Sequence, residues 1–201
     1  DGIRDKLVTG VQTCALPILR RRAVRTVTDA LFARIVTRLA PVLCFTMEEA
    51  WTTRYGKDAS VHLETFPETP AAWRNAALLD KWLRVRALRR AVTGALEVQR
   101  AAKVIGASLE AAPTLFVENA DDAKLFETVS LSEIAITSGA SVSVGKGPDN
   151  AFRLPDVQGA SVVFDKADGA KCARCWMVLP EVGANPAHDD LCNRCSEAVD
   201  G

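Results

Sequence analysis

From Leu19 to Leu39 apolar residues recur at three- and four-residue steps, at Val24, Val27, Leu31, Ile35 and Leu39. That period predicts an amphipathic helix of about 20 residues with those five side chains inward. Arg21, Arg22, Arg25 and Arg34 fall on its other face. Pro41 marks a break or kink. Thr46-Met-Glu-Glu49 reads as a capping box, with Thr46 as N-cap and Glu49 three residues on. The helix it predicts buries Met47, Ala50 and Trp51 and stops at Gly56. Cys44 lies in an apolar run and is expected to be a small buried side chain. Ser60 to Pro70 is a connector. A long helix is then expected from Ala71 to Lys103, with Leu78, Leu79, Trp82, Val85, Leu88, Val92, Leu96 and Gln99 as its inner stripe. Trp51, Trp73 and Trp82 all fall in helical segments and are expected in the core. Gly94 costs about 1 kcal/mol relative to alanine inside a helix, so packing must hold that turn.

After Gly106 the pattern shortens. Leu109 to Val117 predicts a strand edged by Pro113. Asp121 to Glu127 is a short helix, and Ile134–Ile136, Ser141–Val144 and Ala160–Phe164 read as strands between Gly, Pro and Asn turns. The fold class expected is α+β and multidomain: part of an α-helical bundle (19–66), a long connecting helix (67–106), a small α/β junction (107–168) and a C-terminal four-cysteine zinc finger (169–201). Residues 170–201 hold too little apolar material for a core of their own.

Charge changes this picture locally. The chain of 201 residues carries 25 basic and 25 acidic side chains, so a protein that coats DNA through overall positive charge is excluded. Basic residues still cluster at Arg20–Arg25 and Arg84–Arg90, either as a solvated face or as contacts to a nucleic-acid backbone. No apolar run approaches the roughly 20 residues of a membrane span. Val8 to Ile18 reads as the translation of a sequencing-adapter oligonucleotide, so residues 1–18 are set aside as a scar and the chain is expected to be truncated.

The chemistry lies in the cysteines. Cys172-Ala-Arg-Cys175 and Cys192-Asn-Arg-Cys195 are two Cys-x-x-Cys pairs, sixteen residues apart. Each such turn aims two sulfurs at one point, and two turns complete a tetrahedron. Four filled positions leave no room for water, which predicts one structural Zn2+ and not a catalytic one. Lys171, Arg174 and Arg194 would offset the excess negative charge of four thiolates. The same cations could contact RNA phosphate, and Trp176 could stack on an unpaired base or simply cover the metal. His188 is a possible substitute ligand, and a redox dithiol is the other chemistry this spacing allows. No nucleophile–base constellation is present.

Several stretches carry a resemblance. Ala40-Pro-Val-Leu-Cys-Phe-Thr-Met-Glu-Glu-Ala-Trp51 resembles the anticodon-binding helical domain of class I aminoacyl-tRNA synthetases. Val61-His-Leu63 is similar to the segment that follows it. Arg86 to Ala111 and then Lys171-Cys-Ala-Arg-Cys-Trp176, Val182-Gly183 and Leu191-Cys-Asn-Arg-Cys195 resemble the C-terminal region and terminal finger of bacterial isoleucyl-tRNA synthetases. The resemblance covers about residues 19–201 in order, weakly from Leu115 to Asp168. It implies a cytoplasmic, monomeric parent that uses ATP to attach isoleucine to tRNA. The ATP-binding signatures of that class are absent from this chain. The chain itself would therefore be inactive and would grip the anticodon stem-loop of an isoleucine-accepting tRNA, with Lys171, Arg174, Trp176 and Arg194 as contacts. A free-standing zinc-ribbon nucleic-acid module and a protein-interaction adaptor remain as alternatives.

Overall fold

A computed structural model describes residues 18–200 of the chain, with side chains from Arg21 onward. The expectation for residues 1–18, Ile18 apart, lies outside the described residues. Two compact units are separated at Arg74/Asn75.

In the first unit, helix α1 spans Ile18–Leu39 and helix α2 spans Cys44–Tyr55. The helix expected here forms, but its buried face is a different one. Val24, Val27, Leu31, Ile35 and Leu39 are 40–58% exposed. The core is built instead from Val36, Ala40, Trp51 and Val61, with Phe32, Ala33, Met47, Ala50 and Ala59 against them. Phe32, Val36 and Ala40 form a second apolar row at four-residue steps. Phe32 stacks on Trp51 at 12° and 6.3 Å, and Tyr55 lies 4.4 Å from Trp51. Two apolar rows on one helix have the same period, so periodicity cannot rank them; the aromatic ring surface of α2 decides, because large rings bury the most area.

The capping box is also corrected. Val42 and Leu43 donate to the Leu39 carbonyl, and Met47 donates to Leu43. The chain thus re-enters a helix at Cys44, with Leu43 as an N-cap lacking a side-chain bond, and Thr46 is internal. Glu48, not Glu49, reaches out: its carboxylate accepts from the Val61 N–H at 2.9 Å and the Ser60 hydroxyl at 3.1 Å. Cys44 is exposed, not buried. Gly56 ends α2 at φ 104, as expected. Trp73, in a 3₁₀ turn at Ala71–Trp73, is 51% exposed and not a core residue. Its ring lies 4.5 Å beneath the Arg34 guanidinium, which also donates to the Ala30 and Glu68 carbonyls.

The second unit begins with helix α3, Ala76–Ala101. The helix expected from Ala71 is broken ahead of Asn75, whose side chain caps the new start by accepting from the Leu78 N–H at 2.9 Å. Val85, Leu88, Ala91, Val92, Ala95 and Leu96 are buried, while Leu78, Leu79 and Trp82 are exposed. The first turns of α3 therefore run clear of the core of this unit.

Strand β1 (Thr114–Val117) is central in a three-stranded sheet. It runs parallel to β2 (Ser141–Val144) and antiparallel to β3 (Ala160–Val163), with Leu115 paired to Val142 on one side and Val162 on the other. Leu115, Val117 and Val162 pack with Leu88, Val92 and Leu96 of α3. Pro113 precedes β1 and so takes no donor from the ladder. Between β1 and β2 lie helices α4 (Ala120–Lys124) and α5 (Leu131–Ala135). The strand expected at Ile134–Ile136 is instead the end of α5. A run of three apolar residues cannot separate helix from strand, and the Ser130 hydroxyl, accepting from the Glu133 N–H, sets the helix. Gly94 is explained by its neighbour: a Cβ there would stand 3.1 Å from the Phe152 ring.

Three arginines of the basic cluster are spent inside this unit. Arg84 Nε donates to Asp122 Oδ1 at 2.9 Å, and Nη2 reaches Oδ2 and the Gln158 carbonyl at 3.1 Å. Arg89 donates to the Ile134 carbonyl, and Arg90 pairs with Asp156 at 2.8 Å. The bond to Asp122 raises the Arg84 pKa further above its ordinary value. Asp122 is only 7% exposed, so Arg84→Ala leaves a buried carboxylate without its cation. It is expected to destabilise the second unit by about 2–4 kcal/mol. Urea unfolding followed by circular dichroism checks this; Arg22→Ala, on an exposed face, should shift the midpoint little.

Candidate metal centre

The finger opens at Gly169, whose φ is 108 and where a Cβ would stand 2.2 Å from the Leu179 carbonyl carbon. Only glycine lets the chain cross there. Strands β4 (Ala170–Lys171) and β5 (Val178–Leu179) form a short hairpin, with Lys171 opposite Val178. The first cysteine pair is the turn between them. Cys172 donates to the Met177 carbonyl, and Trp176 donates back to Cys172. The second pair stands at the entrance to helix α6, Asn193–Asp200. There the Cys195 and Ser196 N–H groups donate to the Cys192 carbonyl.

The two pairs converge. The Sγ atoms of Cys172, Cys175, Cys192 and Cys195 all lie within 4.8 Å of one another. Cys175 Sγ and Cys192 Sγ are 3.7 Å apart. Metal–sulfur bonds of about 2.3 Å in a tetrahedron place sulfurs about 3.8 Å apart, so the donor set fits one tetrahedral ion. Cys172, Cys192 and Cys195 are fully buried. Together with Leu191 and Ser196 they are the finger's interior, and a structural metal ion is what such an interior implies.

Electrostatics at the thiols is uneven. Burial pushes Cys172 up, but the backbone at Cys175, Cys192 and Arg174 outweighs it and brings the thiol down to about 6. The Cys192 N–H, 3.4 Å from Cys172 Sγ, is one of these donors. Burial first, then neighbouring sulfurs, raises Cys195 well above the ordinary thiol value, and burial raises Cys192. A cation at the centre offsets that cost.

Lys171, Arg174 and Trp176 are exposed around the first turn, and the Lys171 ammonium stands 5.5 Å over the Trp176 ring. Trp176 is 62% exposed. Arg194 is half-buried, with Nη2 3.6 Å from Met177 Sδ. His188 is outside the cysteine group; its Nε2 meets Asp200 Oδ1 at 2.7 Å and ties the finger loop to the end of α6. Sequence spacing carries no signal for that pair or for the Met177–Arg194 contact, since both depend on how the loop folds back.

These features define a protein with a four-cysteine finger, and comparison with known proteins gives the class. Residues 7–115, more than half of the chain, match the anticodon-binding domain of tRNA ligases, and the chain belongs to that family. Residues 169–198 match the zinc finger found in FPG and IleRS. The particular relatives are isoleucine–tRNA ligases: that of Ruegeria pomeroyi is 54% identical over 181 residues, 90% of this chain and 19% of the relative. Those of Brucella abortus and Bartonella henselae are 48% and 44% identical over 90% of the chain. The chain spans about a fifth of the length of these relatives.

Metal binding should be steeply pH-dependent. Cys192 and Cys195 hold protons at neutral pH and must release them, so affinity falls as pH drops from 8. Cys172 is already mostly thiolate above about 6 and joins the competition only below that value. Chelator competition is expected to show a fall that steepens below about pH 6. Cys192→Ser should lose the ion and unfold residues 169–200, read by hydrogen exchange, while the sheet around β1 stays protected.

Proposed function

We propose that this chain is the anticodon-recognising end of an isoleucine–tRNA ligase, with one structural Zn2+ held by Cys172, Cys175, Cys192 and Cys195. The whole protein would join isoleucine to its tRNA using ATP, as a cytoplasmic monomer. The part in hand binds the anticodon stem-loop of an isoleucine-accepting tRNA and does no chemistry. Binding energy far from the reacting atoms orients the acceptor end. Zinc supplies folding free energy to a finger that lacks an apolar core. Among the described residues no helix is long and apolar enough to cross a membrane.

The observation that carries this reading is the state of Trp176. It follows a thiolate ligand directly and adopts φ 65, a conformation glycine fills at lower cost. Its ring is nevertheless 62% exposed, with the Lys171 ammonium 5.5 Å over it and the exposed Arg174 two positions earlier in the chain. A large ring kept at a strained, exposed position suits contact with something outside the chain, and a nucleobase between a ring and cations is a common form of single-stranded RNA recognition. Lys171 and Arg174 would meet the neighbouring phosphates. Arg194, partly engaged by Met177, would sit at the rim.

Trp176→Gly separates recognition from folding, because it relieves the positive φ while removing the ring. It should keep one zinc per chain and thermal stability near that of the parent. Affinity for an isoleucine-accepting tRNA should drop about tenfold. Filter binding at several salt concentrations measures this, and Arg174→Ala should lower the salt slope by about one. Unchanged tRNA affinity in both variants would sink the proposal.

A further inference from the structure

Among the described residues, hydrogen bonds join the finger to the rest of the second unit along its incoming strand and at Ser138. On the incoming side, Ala111 bridges Lys166 and the Ala167 N–H donates to the Glu110 carbonyl. The other attachment is Ser138. Its hydroxyl donates to the Leu109 carbonyl at 2.5 Å and accepts from the Val178 N–H at 2.7 Å. Its own N–H donates to the Ala111 carbonyl at 3.2 Å. Ser138 is 9% exposed and follows the left-handed residue Ile136 that ends α5.

The place where this hydroxyl touches the finger matters. Val178 stands opposite Lys171 across the hairpin, and the neighbouring Met177 carbonyl accepts from Cys172. Ser138 therefore grips the base of the turn that carries Arg174 and Trp176. A module held only by its incoming strand can rotate about that strand. A second bond, to the returning strand β5 and anchored on Leu109 and Ala111, opposes the rotation. The bond needs a group that donates and accepts at once, which a hydroxyl does.

We infer that Ser138 is a positioning residue for RNA recognition: it sets the orientation of the Arg174–Trp176 turn against the sheet without touching RNA itself. The inference rests on the tRNA-binding reading above. It predicts an effect on binding that passes through the turn and not through the metal or the core.

The test uses the full chain loaded with zinc and an isoleucine-accepting tRNA transcript. Ser138→Ala should weaken binding about tenfold, from the loss of a bridged bond and two stranded polar groups. Zinc content should stay at one per chain. Ser138→Thr, which keeps the hydroxyl, should restore affinity. In an Arg174→Ala, Trp176→Gly background, Ser138→Ala should cost little more, because the contacts it orients are gone. Wild-type affinity in Ser138→Ala, full additivity with the double variant, or loss of zinc in Ser138→Ala would each overturn the inference while leaving tRNA binding by the parent intact. Failure of the wild-type chain to bind would overturn the tRNA reading and this inference with it.

Discussion

Four cysteine sulfurs drawn within 4.8 Å of one another are the constraint on which the functional end of this chain depends. Buried thiolates at that separation repel, and burial alone already raises Cys192 and Cys195. Without a cation the cluster has no reason to close, since the finger offers only Leu191 as buried aliphatic material beside the cysteines. The two-residue strands β4 and β5 and the eight-residue helix α6 are each too short to persist alone. Everything exposed on the first turn, Lys171, Arg174 and Trp176, takes its geometry from that closure.

Charge is divided between two jobs. Arg84, Arg89 and Arg90 belong to a basic cluster in the sequence, yet Arg84 is committed to the buried Asp122, Arg89 to the Ile134 carbonyl and Arg90 to the exposed Asp156. They pin α4, α5 and the approach to β3 onto α3. Arg174 and Lys171, by contrast, are exposed, and the Lys171 ammonium stands over the exposed Trp176 ring. A chain with no net charge can thus present a local cationic, aromatic surface, which is what contact with one RNA loop requires and what a diffuse basic surface does not supply.

Packing in the two units follows the same logic of large rings choosing faces. Trp51, Phe32 and Tyr55 select the Phe32–Val36–Ala40 row of α1 over a longer apolar row that stays exposed. In the second unit Phe152 occupies the space that Gly94 leaves open on α3. The glycine that weakens the helix locally is the one that lets the loop after β2 close over it.

Much of the candidate site was legible beforehand. The long helices, the strands at Ser141 and Ala160 and the four converging cysteines follow from period, turn residues and ligand spacing, because those are properties of neighbours along the chain. The family resemblance was legible in the same way, from ordered motifs. Faces were not: Val24 and Val36 have equal claim to the core until α2 is in place, and Trp73 and Trp82 look like core until their surroundings are known. Nor were long-range bonds. Arg84 with Asp122, His188 with Asp200, and Ser138 between Leu109 and Val178 join residues whose separation in sequence carries no periodic signal. The sequence by itself determined the long helices, the strands at Ser141 and Ala160 and where a metal would sit, since these follow from local period and ligand spacing. Only the tertiary structure decided which faces are buried and which charges remain free, because those depend on partners that the chain brings together by folding.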